Sequence, residues 1–192
     1  FIKKFKKLIK IKFLFNFPAK KKILLYDESN SEILKEIIRQ DFNILKIREI
    51  EIYFWIFIKK IIFLDFSYTT YCKNYINFTS PKVVISINDS KVRFFELKKN
   101  FKNINFISMQ SGGRYPINFK NREFLNKNFK CDHFFVFSKY YIRQYKKLIN
   151  SNFHILGGYK NNIVKIKKSS NKNFLLISEY DKNGRDKKVI RS

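Results

Sequence analysis

The residues best suited to chemistry in this sequence are Asp89, Gln110 and Arg114. A carboxylate such as that of Asp89 is a candidate general base, or a group that orients an acceptor hydroxyl. The Gln110 amide can hydrogen-bond to hydroxyl groups, and the planar guanidinium of Arg114 can bind phosphate through two hydrogen bonds. Asp89 and Gln110 are therefore residues whose types could take part in catalysis, and Arg114 is a candidate phosphate ligand.

Further candidate binding residues stand directly after the apolar runs of the sequence. In open parallel sheets, ligands bind beyond the carboxyl ends of the strands, where helix N-termini and backbone N–H groups favour anions. The residues selected by this rule are Asp27, Ser29, Asn88, Ser111, Gly112, Gly113, Arg114, Ser138, Gly157 and Gly158. We expect them to contact the substrate.

Several of these residues also have a purely structural interpretation. Asp27 and Asp89 are of the type that caps helices, and Arg114 can pair with an acidic residue of the same domain. The glycines are harder to explain in this way, because the chain contains only five. Two in succession, at 112–113 and again at 157–158, predict a loop that needs positive φ or the close approach of a ligand.

Familiar catalytic and nucleotide-binding motifs are missing. There is no G-x-G-x-x-G after Asp27, and the sequence also lacks a phosphate-binding P-loop, H-E-x-x-H and G-x-S-x-G. His133 and His154 lie in apolar runs and are interpreted as structural. Cys72 and Cys131 are too few for a disulfide framework or a four-ligand zinc site, so we expect buried, reduced thiols and no metal site.

The apolar pattern predicts the elements that must position these residues. Short apolar runs indicate strands at residues 23–26, 44–47, 83–87, 105–109, 133–137 and 153–156. Amphipathic segments indicate helices at 32–39, 53–63, 68–78, 92–101 and 139–149. Strands that alternate with helices and are apolar throughout form parallel sheets covered on both sides. We therefore predict an α/β fold, a Rossmann-like parallel sheet with helices on both faces.

The length of 192 residues fits one domain with short additions at its ends. We expect a basic leader at residues 1–21, the Rossmann-like domain at 22–170, and a linker with the start of a second domain at 171–192, including a strand at 174–178. Both ends look cut, so a fragment of a longer protein is expected. The most apolar stretch, residues 52–66, is shorter than the roughly 20 residues that span a bilayer.

The formal net charge of +26 is typical of proteins that bind nucleic acid or anionic membranes. However, Phe, Ile, Lys, Asn and Tyr supply 115 of the 192 residues, and lysines outnumber arginines by 33 to 8. These residue types share A/T-rich codons, so an A/T-rich genome explains the high charge. Proteins that bind phosphate groups or bases favour arginine over lysine. The composition therefore disfavours nucleic acid as a partner.

The leader carries an apolar stripe of Phe1, Phe5, Leu8 and Ile9 at helical spacing. Two alternatives follow. The leader packs against the domain with its lysines in solvent, which we favour, or it makes peripheral contact with an anionic inner membrane.

Six short segments, taken in order, resemble bacterial surface carbohydrate biosynthesis proteins. They are residues 22–27 (KILLYD), 81–89 (PKVVISIND), 106–114 (FISMQSGGR), 132–138 (DHFFVFS), 156–162 (LGGYKNN) and 175–180 (LLISEY). That family is similar to GT-B enzymes, which include nucleotide-sugar glycosyltransferases, polyol-phosphate polymer transferases and the non-hydrolysing UDP-N-acetylglucosamine 2-epimerases. The resemblance implies that the Rossmann-like domain is the N-terminal half of a GT-B architecture.

This resemblance implies a glycosyltransferase-like function in surface polysaccharide biosynthesis. In GT-B enzymes the N-terminal domain usually holds the acceptor, so the implied partner is a growing glycan or a lipid-linked acceptor. The C-terminal domain holds most of the nucleotide-sugar, which is the expected donor substrate of the full-length protein, and no cofactor is expected in this fragment. The fragment alone is expected to be inactive. The need for a nucleotide-sugar pool implies a cytoplasmic location, and peripheral attachment to the inner membrane is compatible with it.

One departure from the family bears on the reaction. The epimerases carry Glu-Ala-Gly-Leu-Arg where this chain has residues 110–114, and their glutamate takes part in proton transfer. Gln110 cannot, although Asp89 still matches an epimerase aspartate by position. Group transfer is therefore favoured, and the resemblance implies Asp89, as base or acceptor orienter, and Gln110 as the candidate catalytic residues. In the full-length protein, Asp89→Asn is expected to abolish transfer while changing the free energy of unfolding by less than about 1 kcal/mol.

Two alternatives to the transferase remain open. Within the same class, the chain is an epimerase-like or catalytically dead relative. In a different class, it is a basic module that binds membrane or nucleic acid.

Overall fold

The computed structural model describes residues 12–28, 31–38, 40–47, 51–62, 67–114 and 128–158, without the side chains of residues 33 and 59–62. The strands in these ranges are β1 (Lys12–Leu14), β2 (Ile23–Tyr26), β3 (Phe42–Leu45), β4 (Glu51–Tyr53), β5 (Val83–Ser86), β6 (Asn105–Met109), β7 (Phe129–Val136) and β8 (Ile149–Ile155). The helices are α1 (Ser31–Ile37), α2 (Phe54–Ile62), α3 (Tyr68–Thr79), α4 (Val92–Lys98) and α5 (Lys139–Tyr145).

Six of the strands form one sheet in the order β3-β2-β5-β6-β7-β8. Every neighbouring pair in this sheet is parallel. The chain leaves β2 outward to β3, and from β5 it continues in the opposite direction to β8, so the winding reverses between β2 and β5. This arrangement confirms the predicted Rossmann-like α/β fold.

Helices cover both faces of the sheet, as predicted. On one face, Tyr26 and Phe106 belong to a buried cluster that includes residues of α3 and α4. On the other face, Leu25 and Ile85 are buried with Leu34 of α1. Neighbouring residues of a strand point to opposite faces, so burial of both faces explains why the central strands β2 and β5 are almost wholly apolar.

The ends of the elements differ from the predicted ends by up to four residues. β3 begins two residues earlier than predicted, and β7 begins at Phe129 rather than at 133. In β7 the exposed Lys130 lies between the buried Phe129 and Cys131, so its first half is not an apolar run. α5 ends at Tyr145 rather than at 149, because Ile149 is buried in β8 opposite Phe129.

A separate two-stranded sheet pairs β1 with β4 in parallel. β4 is not among the predicted strands, since a helix was expected to begin at Tyr53. The Lys12 Nζ lies 3.1 Å from Glu51 Oε1, and the Tyr53 N–H donates to the Tyr71 hydroxyl at 3.0 Å. β1 lies within the predicted leader, and this part of it therefore contacts the rest of the domain through β4 and α3.

Some expectations lie outside the described residues. These are the stripe of Phe1, Phe5, Leu8 and Ile9, the candidate Ser29, and the linker at 171–192 with its strand at 174–178. Among the helices that the structure describes, none is long and apolar enough to cross a membrane. The longest, α3, has 12 residues, or roughly 18 Å at the usual helical rise.

Candidate functional site

The ends of four adjacent strands bring most of the predicted site residues to one edge of the sheet, the carboxyl edge. Asp27 follows β2, Asn88 and Asp89 follow β5, Gln110 follows β6, and Ser138 follows β7. Because these strands are parallel neighbours, the loops that carry these residues meet at the same edge.

The glycines at 157 and 158 lie farther along the carboxyl edge. They follow β8, which is the outer strand and stands four strand positions from β2. At about 4.8 Å per strand, this is a separation of roughly 19 Å from Asp27. The structure therefore separates these glycines from the residues at the centre of the edge.

Asp89 is the centre of a closed hydrogen-bond network. Its side chain is 0% exposed. Arg114 donates from Nε to Oδ2 at 2.8 Å and from Nη2 to Oδ1 at 2.5 Å. The N–H and the hydroxyl of Ser111 donate to Oδ1 at 3.1 and 2.9 Å, and the Tyr145 hydroxyl donates to Oδ2. These four residues, Asp89, Ser111, Arg114 and Tyr145, are the Asp89 network.

The network holds Asp89 in its ionised form. Burial raises the pKa of the carboxyl, but hydrogen bonds and charge from Arg114, with hydrogen bonds from Tyr145 and Ser111, outweigh burial and lower the pKa below its ordinary value. Hydrogen bonding to Asp89 raises the pKa of Arg114, and burial raises the pKa of Tyr145. A carboxylate with a lowered pKa and both oxygens occupied is a weak base, so the geometry favours a positioning role for Asp89.

The Asp89 network also decides between the alternatives for its charged members. Arg114 forms the ion pair within the domain, so its guanidinium is directed at Asp89 and not at a substrate phosphate. Asp89 does not cap α4, whose N-cap residue is Lys91 and has no side-chain capping bond. The network instead ties the loop after β5 to the loop after β6 and to Tyr145 of α5.

Gln110 joins two loops in a similar way. Its side chain is buried, and its Nε2 donates to the Gly112 carbonyl at 2.8 Å. Its Oε1 accepts from the N–H of Phe137 at 3.0 Å. Both ends of the amide are therefore used to connect the loop after β6 to the end of β7. A glutamine suits this position because one end must donate and the other must accept.

The adjacent glycines at 112 and 113 differ from the prediction in their backbone. Among Gly112, Gly113 and Gly157, only Gly157 has a positive φ, at 72°. A Cβ on Gly112 would meet nothing within 4 Å, and a Cβ on Gly113 would touch only the Tyr141 hydroxyl at 3.7 Å. The prediction of positive φ is therefore wrong for this pair and confirmed for Gly157. Of the two reasons considered for the pair, the close approach of a ligand remains.

The other predicted residues have local roles at the carboxyl edge. The Asn88 Oδ1 accepts from the N–H and hydroxyl of Ser90, at 3.1 and 2.6 Å, and so closes a turn. Ser138 is the N-cap residue of α5 without a side-chain capping bond. Asp27 is buried and has a φ of 95°, a conformation that is strained for a residue other than glycine.

A crevice opens at the carboxyl edge between β2 and β5, where the winding of the sheet reverses. It has a volume of about 320 Å³ and is lined by Tyr26, Ile47, Ser90, Lys91, Val92 and Arg93. Open α/β sheets bind ligands at this kind of position. Within the described residues neither Lys91 nor Arg93 forms an ion pair, and the Arg93 guanidinium lies 5.8 Å from the centre of the Tyr68 ring. We call this feature the switch-point crevice.

The sequence prediction did not include Lys91 and Arg93. Their position directly after Asn88, Asp89 and Ser90 could have marked them as candidates. The chain contains 41 lysines and arginines, however, so two more cations do not stand out in the sequence. The strand order was needed to show that these two cations face the end of β2.

Residues that bind metals or carry reactive thiols do not form a site in the described ranges. No group of three or more His, Cys, Asp or Glu side chains that could hold a metal occurs there. His133 and His154 hydrogen-bond to each other through ring nitrogens 3.0 Å apart. Cys72 and Cys131 are buried thiols, and burial raises the pKa of Cys131 to about 12.

Comparisons with models of protein families, with curated proteins and with solved structures give no match. Function is therefore inferred from the chemistry of the carboxyl edge and from the sequence segments described above.

Proposed function

We propose that this domain is the acceptor-binding half of a glycosyltransferase-like enzyme of bacterial surface polysaccharide biosynthesis. The observation that carries the proposal is the switch-point crevice, a polar opening with two cations at the reversal of a Rossmann-like sheet. The donor would be a nucleotide-sugar, bound mainly by a second domain. The acceptor would be a growing glycan that is linked to lipid through phosphate.

The chemistry of the switch-point crevice suits such an acceptor. Lys91 and Arg93 supply positive charge for a phosphate or diphosphate, and Ser90 supplies a hydroxyl. Ile47 and Val92 are half-buried at the crevice and provide an apolar wall for the face of a sugar ring. A volume of about 320 Å³ is at the lower end of small-molecule sites, which suits one sugar with its phosphate.

The Asp89 network stabilises the loop that lines one side of the crevice. Asp89 directly precedes Ser90 in the chain, and its bonds to Ser111, Arg114 and Tyr145 hold this loop to the neighbouring loop and to α5. A binding loop that is fixed before the ligand arrives loses less entropy on binding. Asp89 is thus proposed as a positioning residue for the acceptor site.

The geometry around Gln110 favours transfer over epimerisation. An epimerase needs a group at this position that takes up and releases a proton. Gln110 has no such group, and both ends of its amide are bonded within the protein. The epimerase-like alternative would require proton transfer from another residue.

The test is calorimetric titration of the 192-residue chain with inorganic pyrophosphate at fixed ionic strength. We expect Lys91→Ala and Arg93→Ala each to weaken binding by about tenfold, as for the loss of a charge-assisted hydrogen bond. Lys139→Ala and Arg143→Ala are the matched controls, because both residues are exposed cations on α5. The controls should bind pyrophosphate like the unmodified chain.

Equal losses in all four variants would show that pyrophosphate responds to overall charge only, and would contradict the proposed site. A second measurement addresses the reaction. The longer protein, supplied with a labelled nucleotide-sugar and a lipid-linked acceptor, should transfer label, and Arg93→Ala should raise the KM for the acceptor more than it lowers kcat. An unchanged KM would contradict the assignment of the acceptor to the crevice.

A further inference from the structure

A cluster of exposed aromatic side chains lies far from the carboxyl edge. Four large apolar residues that are close together in space have unusually high exposure: Phe13 (40%), Phe15 (64%), Phe17 (56%) and Trp55 (45%). We call these four residues the aromatic platform. Exposed apolar patches of this kind mark interaction surfaces in soluble domains.

The platform is held in place by local structure. Phe13, Phe15 and Phe17 are spaced by two residues in and after β1, and Trp55 is at the start of α2. The Trp55 Nε1 donates to the Phe15 carbonyl at 2.7 Å, so the two segments are tied together. The Phe17 ring is also stacked on Phe78, with centroids 5.2 Å apart. The exposed rings are therefore fixed in position and not loose side chains.

An apolar groove continues the platform. It has a volume of about 700 Å³ and is lined by Phe17, Trp55, Ile56, Ile58, Asn74, Asn77 and Phe78. Most of its lining is aromatic or aliphatic, and its polar residues are amides without charge. The groove gives the platform room to receive acyl chains or other flexible apolar groups.

Lysine side chains border the platform and its groove. The Lys20 Nζ lies 5.4 Å from the centre of the Phe78 ring, and the Lys12 side chain is 67% exposed. The carboxylate of Glu51 in β4 is paired with two lysines, Lys12 and Lys46, so its negative charge is compensated. Exposed aromatic rings bordered by lysine are typical of segments that lie in the headgroup region of anionic bilayers.

We propose that the aromatic platform docks this domain on an anionic lipid bilayer. The rings of Phe15, Phe17 and Trp55 enter the headgroup region, and Lys20 contacts a lipid phosphate. Phe78 is in the last turn of α3, which leads into the amino end of β5, whereas the switch-point crevice is at the opposite, carboxyl edge. Docking through the platform therefore leaves the crevice open. The inference stands on the exposed rings and does not depend on the proposed function.

Trp55 makes the test specific, because it is the single tryptophan of the chain. The 192-residue chain is mixed with vesicles of phosphatidylglycerol and phosphatidylcholine in equal parts, or of phosphatidylcholine alone. Anionic vesicles should shift Trp55 emission to shorter wavelength, and brominated lipid in them should quench it. The double variant F15S/F17S should partition about tenfold or more weaker into these vesicles.

The controls separate insertion from the attraction of a basic chain to anionic lipid. F15S/F17S has the same charge as the unmodified chain, so equal partitioning of the two would overturn the proposal. Tyr140→Ser is the matched control, because Tyr140 is 45% exposed on α5 and outside the platform; it should partition like the unmodified chain. Absence of quenching by brominated lipid would also overturn it. So would a dimer in lipid-free sedimentation that F15S/F17S dissociates, because the platform would then bind a second copy of the chain.

Discussion

Asp89 and the four residues that follow it form the loop after β5 and the first residues of α4, yet their surroundings are opposite. The Asp89 carboxylate is fully buried, and five hydrogen bonds from three residues reach it. Lys91 and Arg93 border an open crevice, and in the described residues neither is part of an ion pair. Asp89, whose residue type suggested catalysis, fixes the loop in place. Lys91 and Arg93, which did not stand out in a lysine-rich sequence, line the crevice. Residue type alone therefore does not separate a structural role from a binding role.

The largest effect is expected when the carboxylate of Asp89 is removed, which tests whether Asp89 has a structural role. Asp89→Ala leaves Arg114 and Tyr145 without their acceptor, and we expect it to lower the free energy of unfolding by about 3 kcal/mol. Urea denaturation measures the change. Asp41→Ala is the matched control, because Asp41 is an exposed partner of Lys21 and should cost less than about 1 kcal/mol.

Asp89→Asn tests the same network more gently. An asparagine keeps one acceptor oxygen but points an NH₂ group at donors, so we expect a loss of about 2 kcal/mol. This exceeds the limit of about 1 kcal/mol that the sequence suggested. A loss below that limit for both variants would show that the network does not hold the loop.

Gln110→Glu sharpens the comparison, because it introduces the acidic residue of the epimerase pattern into a buried position. One carboxylate oxygen can still accept from Phe137, but the other faces the Gly112 carbonyl, so we expect a loss of about 1–3 kcal/mol at neutral pH. Burial and this repulsion should raise the pKa of the new carboxyl in the folded chain. The loss should therefore shrink toward acid pH, and urea denaturation at pH 5 and pH 8 measures it. An equal loss at both values would contradict the hydrogen-bond pattern.

The pH dependence of the stability of the unmodified chain gives a fourth prediction. The pKa of Asp89 is lower in the folded chain than its ordinary value, so its contribution to stability is complete above the ordinary pKa of about 3.9. The contribution is lost as the pH falls through the folded pKa. The difference in unfolding free energy between the unmodified chain and Asp89→Asn should therefore narrow from pH 6 toward pH 2. A difference that stays constant over this range would show that Asp89 has no lowered pKa.

The smallest effect on stability is expected at Gly113. Its φ is not positive, and an added Cβ would touch only the Tyr141 hydroxyl at 3.7 Å, so Gly113→Ala should change the free energy of unfolding by about 0.5 kcal/mol or less. If the glycine is there to admit a ligand, the same variant should also weaken binding of the proposed acceptor. Gly157→Ala is the contrasting variant, because its φ of 72° makes it strained, and it should be destabilised. Comparable stability of the two variants would contradict this distinction.

The sequence predicted the fold better than the roles of the site residues. The runs at 23–26, 83–87 and 105–109 are buried on both faces, and burial of this kind leaves a pattern that can be read locally. β4 has only three residues and adjoins α2 directly, so its apolar residues could not be distinguished from those of the helix and the strand was not predicted. The first half of β7 was missed because Lys130 interrupts its apolar run.

The candidate site shows the same division. The rule that ligands bind at the carboxyl ends of strands placed Asp27, Asn88, Asp89 and Gln110 at one edge, and the structure confirms that placement. The rule does not say which of these polar side chains are hydrogen-bonded within the protein and which are available to a ligand. The partners of Asp89 are 22, 25 and 56 residues away in the chain, and no local pattern encodes contacts over such separations.

The sequence by itself determined the α/β class, the six strands of the main sheet, and the end of each strand at which polar residues gather, because these depend on periodicity over a few residues. The tertiary structure decided the strand order, and with it the meeting of β2 and β5 that forms the switch-point crevice. It also decided that Asp89 is enclosed while Arg93 is exposed, and that Phe15, Phe17 and Trp55 share one surface. Hydrogen bonding and burial depend on which distant segments become neighbours, and that is settled only when the sheet assembles.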